Sequence, residues 1–196
     1  MVSDALVLGF DTSAAHCAAA LLSGDRVLVA RSEAMGRGQA ERLMPLLKEV
    51  LHEGGAEWRD LARLGVGVGP GNFTGIRISV AAARGLALAL DIPAVGVTMF
   101  DAISCTRNDA HLPAVPAPRD QMYILEPGAA PCLVPADAAR DLPLALPPDP
   151  AGLATAIARI AAKAAPPFAA PAPLYIRPAD AAPPREAPPL ILDDDA

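Results

Sequence analysis

A chain of 196 residues has room for one domain or two small lobes, and for a core that folds without staples. Its 22 acidic and 16 basic residues leave a formal charge of −6, a poor basis for binding nucleic acid unaided, because that affinity starts from phosphate neutralisation. Cys17, Cys105 and Cys132 are widely spaced and form no CxxC, so they read as small buried hydrophobes in a reducing compartment rather than as a disulfide or metal set.

The first residues carry Asp4 and Asp11 and no basic stretch, unlike a secretory signal. Arg77, Arg84 and Asp91 interrupt the longest apolar stretches, so no transmembrane span is expected and a cytoplasmic location follows.

Leu6 to Ser13 opens as a buried strand ending on a carboxylate and two hydroxyls, Asp11, Thr12 and Ser13. Cys17 to Ser23 is a second strand, Gly24-Asp25 a turn, and Arg26 to Arg31 a third strand, together an antiparallel meander. A strand ending in D-x-[ST] beside a hairpin is how the acetate-kinase, sugar-kinase, Hsp70 and actin superfamily begins its phosphate loop; Asp11 as a simple turn cap is the alternative. After Gly36-Arg-Gly38, an amphipathic helix is predicted from Gln39, with Leu43, Leu46, Leu47, Val50 and Leu51 at i, i+3, i+4, i+7 and i+8, and Gly54-Gly55 ending it. His52 near its end reads as a solvated C-terminal residue. Trp58 and Leu61 belong to a short helical connector.

Leu64 to Val68 is a strand whose glycines alternate with Val66 and Val68, as where something packs closely against the sheet. Gly69-Pro70-Gly71 forces a turn, and a long helix is predicted over Thr74–Leu90. A glycine-rich turn between strand and helix aims backbone N–H groups and the positive end of the helix dipole at one spot, which suits an anion; a tight turn with purely geometric glycines is the other reading. No lysine follows the glycines as in a Walker loop, and Asp91 precedes the next strand, so no dinucleotide fingerprint is present. In the helix, Arg77 and Arg84 share one face and the rest is small or apolar. Such a helix needs cover on both sides, by the sheet and by either a second lobe or another subunit. Pro93 to Met99 is a strand parallel to Leu64–Val68, and Phe100 to Thr106 a short helix.

Residues 1–106 therefore form a β-β-β-α-β-α-β-α lobe, and 107–196 a smaller Pro/Ala-rich lobe. The second lobe has strands at His111–Ala117, Gln121–Glu126 and Pro131–Val134, and a helix at Ala151–Ala165. Ala169 to Ile176 leads into Arg177-Pro178, and the proline-rich, acidic tail from Ala179 on, with Asp193 to Asp195, reads as irregular. Catalytic sets are not evident. His16, His52 and His111 lie in different segments, no G-x-S-x-G elbow or H-x-x-x-H helix occurs, and nothing in the sequence brings Asp11 to Asp101 or Asp120.

Gly69-Pro-Gly-Asn-Phe-Thr-Gly-Ile-Arg-Ile78 closely resembles G-P-G-S-F-T-G-L-R-I, the signature of the TsaB (YeaZ) family. Leu8-Gly-Phe-Asp-Thr-Ser13, Gln39-Ala-Glu-Arg-Leu-Met-Pro45 and Pro173-Leu-Tyr-Ile-Arg-Pro178 match it in the same order. The resemblance implies a two-lobe actin/Hsp70-like α/β fold of the ribonuclease H-like (ASKHA) type. It implies a subunit without catalytic residues of its own, which joins the catalytic subunit TsaD and the ATPase TsaE in threonylcarbamoylation of the anticodon-adjacent adenosine of ANN-decoding tRNAs. TsaC or a relative supplies the donor, and tRNA is bound mainly by TsaD. Alone, such a subunit dimerises through two helices, here Gln39–Glu53 and Thr74–Leu90. The interface then falls to Leu43, Leu46, Leu47, Val50, Ile76, Arg77, Val80, Ala83, Arg84 and Ala87, with the arginines meeting a partner's acidic groups. A nucleotide-binding enzyme or switch is the alternative, with ATP or ADP held by Asp11, Thr12, Ser13, Gly69, Gly71, Asn72, Thr74 and Gly75; a glycoprotease is a third. Two departures bear on it. Gln39 stands where many relatives keep a histidine, which argues against a metal site, and Ala114 to Tyr123 replaces D-A-R-R-x-x-V-Y, which argues against nucleotide chemistry.

Overall fold

The computed structural model describes residues 5–105 and 107–176. The chain runs through strands β1 (Leu6–Asp11), β2 (His16–Ser23) and β3 (Arg26–Ala34), helix α1 (Gln39–Glu53), strand β4 (Leu61–Gly67), helix α2 (Phe73–Leu90), strand β5 (Ala94–Val97) and helix α3 (Met99–Ser104). Strands β6 (Leu112–Ala117), β7 (Gln121–Ile124), β8 (Cys132–Pro135) and β9 (Leu144–Ala145) precede helix α4 (Pro150–Lys163). The predicted elements fall close to these, and the predicted connector is a 3₁₀ turn at Trp58–Asp60. The two-residue β9 was not anticipated, for it is too short to show a period.

Two sheets result, one ordered β3-β2-β1-β4-β5 and one ordered β8-β7-β6-β9. In the first, β1 pairs antiparallel with β2 and parallel with β4, and β4 parallel with β5. A meander followed by parallel strands joined through helices is the ribonuclease H-like plan that actin-like proteins share, as the resemblance implies.

Alternation along the strands divides the core. Leu8, Phe10, Cys17, Ala19 and Leu21 pack with Leu43, Leu46, Leu47, Val50, Ile76 and Val80 of α1 and α2. Their strand neighbours Val7, Ala18, Ala20 and Leu22 face the other way, against Ala154, Ala158 and Ala161 of α4. The first sheet is thus a middle layer, and α4, expected in the second lobe, closes the first. The sequence boundary at 106 separates the two sheets but not the two halves of the chain, because an alanine-rich helix has too little side chain to make a core unless it lies flat on a sheet.

The glycines of β1 and β4 allow that fit. A Cβ on Gly9 would lie 2.5 Å from the Ala154 carbonyl oxygen, and one on Gly65 would lie 2.9 Å from the Ile157 oxygen. Arg63 then holds the end of α4, its guanidinium donating to the Ala164 carbonyl at 2.8 Å and stacking 4.6 Å over Phe168.

Helix α2 departs from two expectations. It is 18 residues long with mean hydropathy 1.4, enough by length and apolarity to cross a membrane, because its alanines and leucines outweigh Arg77 and Arg84. Here one face of it is seated on the chain's own sheet instead. Nor does the second lobe cover its outer side beyond the first turn, where Tyr175 meets Arg77, since α4 occupies the opposite face of the sheet. Arg77, Ala81, Arg84 and Leu88 are exposed along it, Leu88 to 86%. The cysteines are also less uniform than expected: Cys17 is buried, whereas Cys105 and Cys132 are exposed. The tail from residue 177, including Arg177 and Pro178, lies outside the described residues.

Seating α4 on glycines predicts that Gly9→Ala lowers the unfolding free energy by about 1–3 kcal/mol, as overpacking does. Urea denaturation measures it, and an unchanged midpoint would contradict the close contact between β1 and α4.

Candidate functional site

The end of β1 meets the glycine-rich turn at the C-terminal edge of β4. Asp11 is fully buried, and its Oδ2 accepts hydrogen bonds from the Ser13 amide and the Ser13 hydroxyl, both at 2.9 Å. His16 Nε2 lies 2.8 Å from the same oxygen. A carboxylate oxygen already taking two donors makes this ring nitrogen the N–H donor. The other oxygen, Oδ1, is buried against Gly67, where a Cβ would come within 2.0 Å of it.

Residues 12 and 13 then close onto the turn. Thr12 Oγ donates to the Gly75 carbonyl at 2.7 Å, and a Cβ on Gly75 would sit 1.9 Å from the Thr12 carbonyl oxygen. The Asn72 amide donates to the Ser13 carbonyl at 2.6 Å. The Asn72 side chain caps α2 by accepting from the Gly75 amide at 2.9 Å. Ser79, one turn further, donates to the Gly67 carbonyl at 3.2 Å. Two amides that an anion cradle would use, those of Asn72 and Gly75, are therefore spent within the protein. Of the residues assigned to a nucleotide, Asp11, Thr12, Ser13, Gly71, Asn72 and Gly75 do come together, but they bind one another. Gly69 faces Ile76 and the Leu174 carbonyl, and Thr74 is exposed at the start of α2.

The turn is further held by the segment after α4. The Leu174 amide donates to the Val68 carbonyl at 2.8 Å, and Tyr175 stacks on Phe73 with ring centres 4.8 Å apart. Arg77 lies 3.9 Å over the Phe73 ring and donates from Nε to the Tyr175 hydroxyl at 3.0 Å. Arg77 is thus engaged within the chain rather than left for a partner's acidic groups. Arg84 forms no ion pair among the described residues.

The interface residues need a larger correction. Leu43, Leu46, Leu47, Val50, Ile76, Val80 and Ala83 are at most 4% exposed and fill the core under α1 and α2. The apolar period that marked them marks the face turned inward, and Ala87 is only partly buried beside them. The outward face of the same helices carries Met44, 42% exposed, with Lys48 on α1, and Ala81, Arg84 and Leu88 on α2. Gln39, where relatives have histidine, donates to the Ala14 and Met35 carbonyls at 3.4 and 3.3 Å and ties α1 to the loop after β1.

Beside α1, Arg42 clamps two carboxylates, Glu33 at 2.6 Å and Glu49 at 2.7 Å. The guanidinium hydrogen bonds hold both carboxyls below their ordinary values and raise Arg42. Burial, with Glu33 adding to it, pushes the Cys17 thiol up to about 11, so it is not a nucleophile.

Thr98 caps α3, its hydroxyl accepting from the Asp101 amide and donating to Asp101 Oδ2, and Asp120 sits in the β6–β7 turn, so neither aspartate joins Asp11. His52 is exposed in the last turn of α1, and His111 lies between Ser104 and the Asp109 carbonyl. His16 is the residue that reading the sequence passed over. The β1–β2 register, which pairs Asp11 with Ala18, folds it back beside the carboxylate five positions earlier. A hairpin drawn through 11–18 would have found it. Among the described residues no three His, Cys, Asp or Glu side chains gather as for a metal.

Between the sheets, Ser13, His16 and Asn72 open onto a cleft of about 630 Å³ whose other walls are Met99, Val115, Tyr123, Leu153 and several prolines.

Comparison with known proteins follows the same elements. A family model described as "TsaD: tRNA N6-adenosine threonylcarbamoyltransferase" matches residues 33–130. The "tRNA threonylcarbamoyladenosine biosynthesis protein TsaB" of Escherichia coli K12 is 36% identical over 92 residues, 47% of this chain and 39% of that protein. Its namesake in Bacillus subtilis 168 is 32% identical over 122 residues, 60% of this chain and 52% of that one. The chain so spans about half, or less, of the curated relatives it matches. A crystal structure from Pseudomonas aeruginosa, described as an uncharacterized protein similar to peptidase YEAZ, superposes with a TM-score of 0.66 at 25% identity, covering 88% of this chain and 100% of that one.

The Arg42 clamp gives a pH prediction. Both carboxyls titrate lower when folded, so their contribution is complete above about pH 4.3, the unfolded range, and is lost as pH falls through the lowered folded values. Arg42→Gln should be less stable than the unchanged protein at pH 7, and the difference in melting temperature should shrink below about pH 4. A constant difference across that range would contradict the clamp.

Proposed function

The chain belongs to the TsaB (YeaZ) family, and from that premise we propose that it is a non-catalytic subunit in the cytoplasmic synthesis of threonylcarbamoyladenosine in tRNA. It pairs with a TsaD-type catalytic subunit through the outer face of α1 and α2. The observation that carries this reading is an 18-residue helix with its outer face uncovered, bearing Leu88 at 86% exposure and Ala81 and Arg84 beside it, with Met44 exposed on α1. Large apolar side chains rimmed by polar ones on an unpaired helix mark an interaction face. Arg84 suits an acidic group on the partner. In its absence, a second copy covers the same face.

Support for a non-catalytic role is physical. The two hydroxyls and one carboxylate oxygen at the end of β1 are committed within the chain, and Cys17 is a raised, buried thiol. Any ATP or ADP, and the TsaE-type ATPase, then belong to the complex. With a charge of −6 this subunit leaves tRNA contact to its partner.

Leu88→Glu combined with Met44→Glu should leave the circular dichroism spectrum unchanged, since both residues are exposed, while weakening association with the cognate TsaD-type protein at least about tenfold, or 1.4 kcal/mol. The same variant should fail to restore threonylcarbamoyladenosine in cells lacking this gene. Undiminished association would overturn this interface.

A further inference from the structure

We infer that the cleft between the two sheets binds an uncharged, planar aromatic molecule carrying one O–H or N–H donor, which hydrogen-bonds to Nδ1 of His16. This goes beyond the subunit reading and stands or falls without it.

The cleft, about 630 Å³, is of the size that encloses small ligands. None of its lining residues is Lys, Arg, Asp or Glu, so nothing there offsets the cost of taking a charged ligand out of water. Pro70, Pro116 and Pro147, with Val115, Leu153 and Tyr123, present flat apolar walls suited to an aromatic face. Two of the polar groups at the inner end are already committed: Ser13 Oγ donates to Asp11 Oδ2, and Asn72 Oδ1 accepts from the Gly75 amide.

His16 is different. It is 7% exposed and lines the cleft, and its Nε2 donates to a fully buried carboxylate that two other donors also hold. That bond fixes ring orientation and tautomer, and in the neutral ring it leaves Nδ1 as the acceptor. Nδ1 has no partner among the described residues. An oriented acceptor in an apolar cleft selects a neutral donor, because a buried acceptor left unpaired is costly and an anion would be repelled by its lone pair. A polyphosphate finds no counter-charge here, and two of the nearby turn amides, those of Asn72 and Gly75, are spent on Ser13 O and Asn72 Oδ1.

Three small probes separate the components: phenol, which has the ring and the donor; anisole, which has the ring without the donor; and benzoate, which adds a charge. Each is titrated into the intact chain while the His16 ring resonance and the Leu153 methyl resonances are followed by NMR. Phenol should saturate with a dissociation constant of about 1 mM, modest as befits seven heavy atoms, and anisole and benzoate should bind at least about tenfold more weakly. His16→Phe should reduce the advantage of phenol over anisole to less than about twofold. Leu146→Trp, which fills the exposed wall, should weaken all three and serves if the first variant does not fold. Equal binding of phenol and anisole by the unchanged protein, or no saturable shift up to about 20 mM phenol, would overturn the inference. Magnesium-ATP moving the same resonances at concentrations below those of phenol would overturn it too, in favour of a nucleotide.

Discussion

Everything in the first lobe hangs on the close approach of residues 11–13 to Gly67, Gly71 and Gly75. Gly67 leaves room for the Asp11 carboxylate, and at Gly71 and Gly75 backbone meets backbone with no space for a side chain, the Gly75 position lying so near the Thr12 carbonyl that a Cβ would be 1.9 Å away. This contact joins the end of β1 to the start of α2 and buries Asp11. That carboxylate in turn needs Ser13 and His16 as donors, since a buried charge is tolerated only when hydrogen-bonded. From one constraint follow the angle at which α2 leaves the sheet, the face it buries, and the face it leaves exposed.

The same contact explains why part of a turn built like a phosphate loop is closed to an anion. The glycines that would let an anion approach the backbone let the chain's own residues 12 and 13 approach it instead, and the cap at Asn72 takes the Gly75 amide. Two of the amides such a turn offers an anion are occupied from within. The cleft beyond His16 has walls of proline and aliphatic side chains, which selects by shape and by one acceptor rather than by charge.

Much of the fold was legible because its signals are local. The period of Leu43, Leu46, Leu47, Val50 and Leu51 places α1, and the glycine–valine alternation at 65–68 announced close packing, which proved to be α4 on Gly65 and Asp11 on Gly67. What escaped depends on contacts distant in sequence. The period of α1 and α2 tells which residues are apolar but not whether own sheet or partner lies against them, so the interface was placed on the buried face. That α4 crosses back to the first sheet, 141 positions beyond Gly9 at its first residue Pro150, follows from a fit of alanines onto glycines that no window of sequence contains. His16 was missed for a related reason, being paired with Asp11 by hairpin geometry rather than by spacing on a helix.

The central claim is that the Gly69–Gly75 turn is a latch between β1 and α2 and not an anion site. The most direct measurement is the amide chemical shifts of Asn72 and Gly75 during titration of the intact chain with inorganic phosphate. The latch predicts that both stay in place up to about 50 mM phosphate, a range that would reveal even millimolar affinity. A saturable movement of these two amides would contradict it.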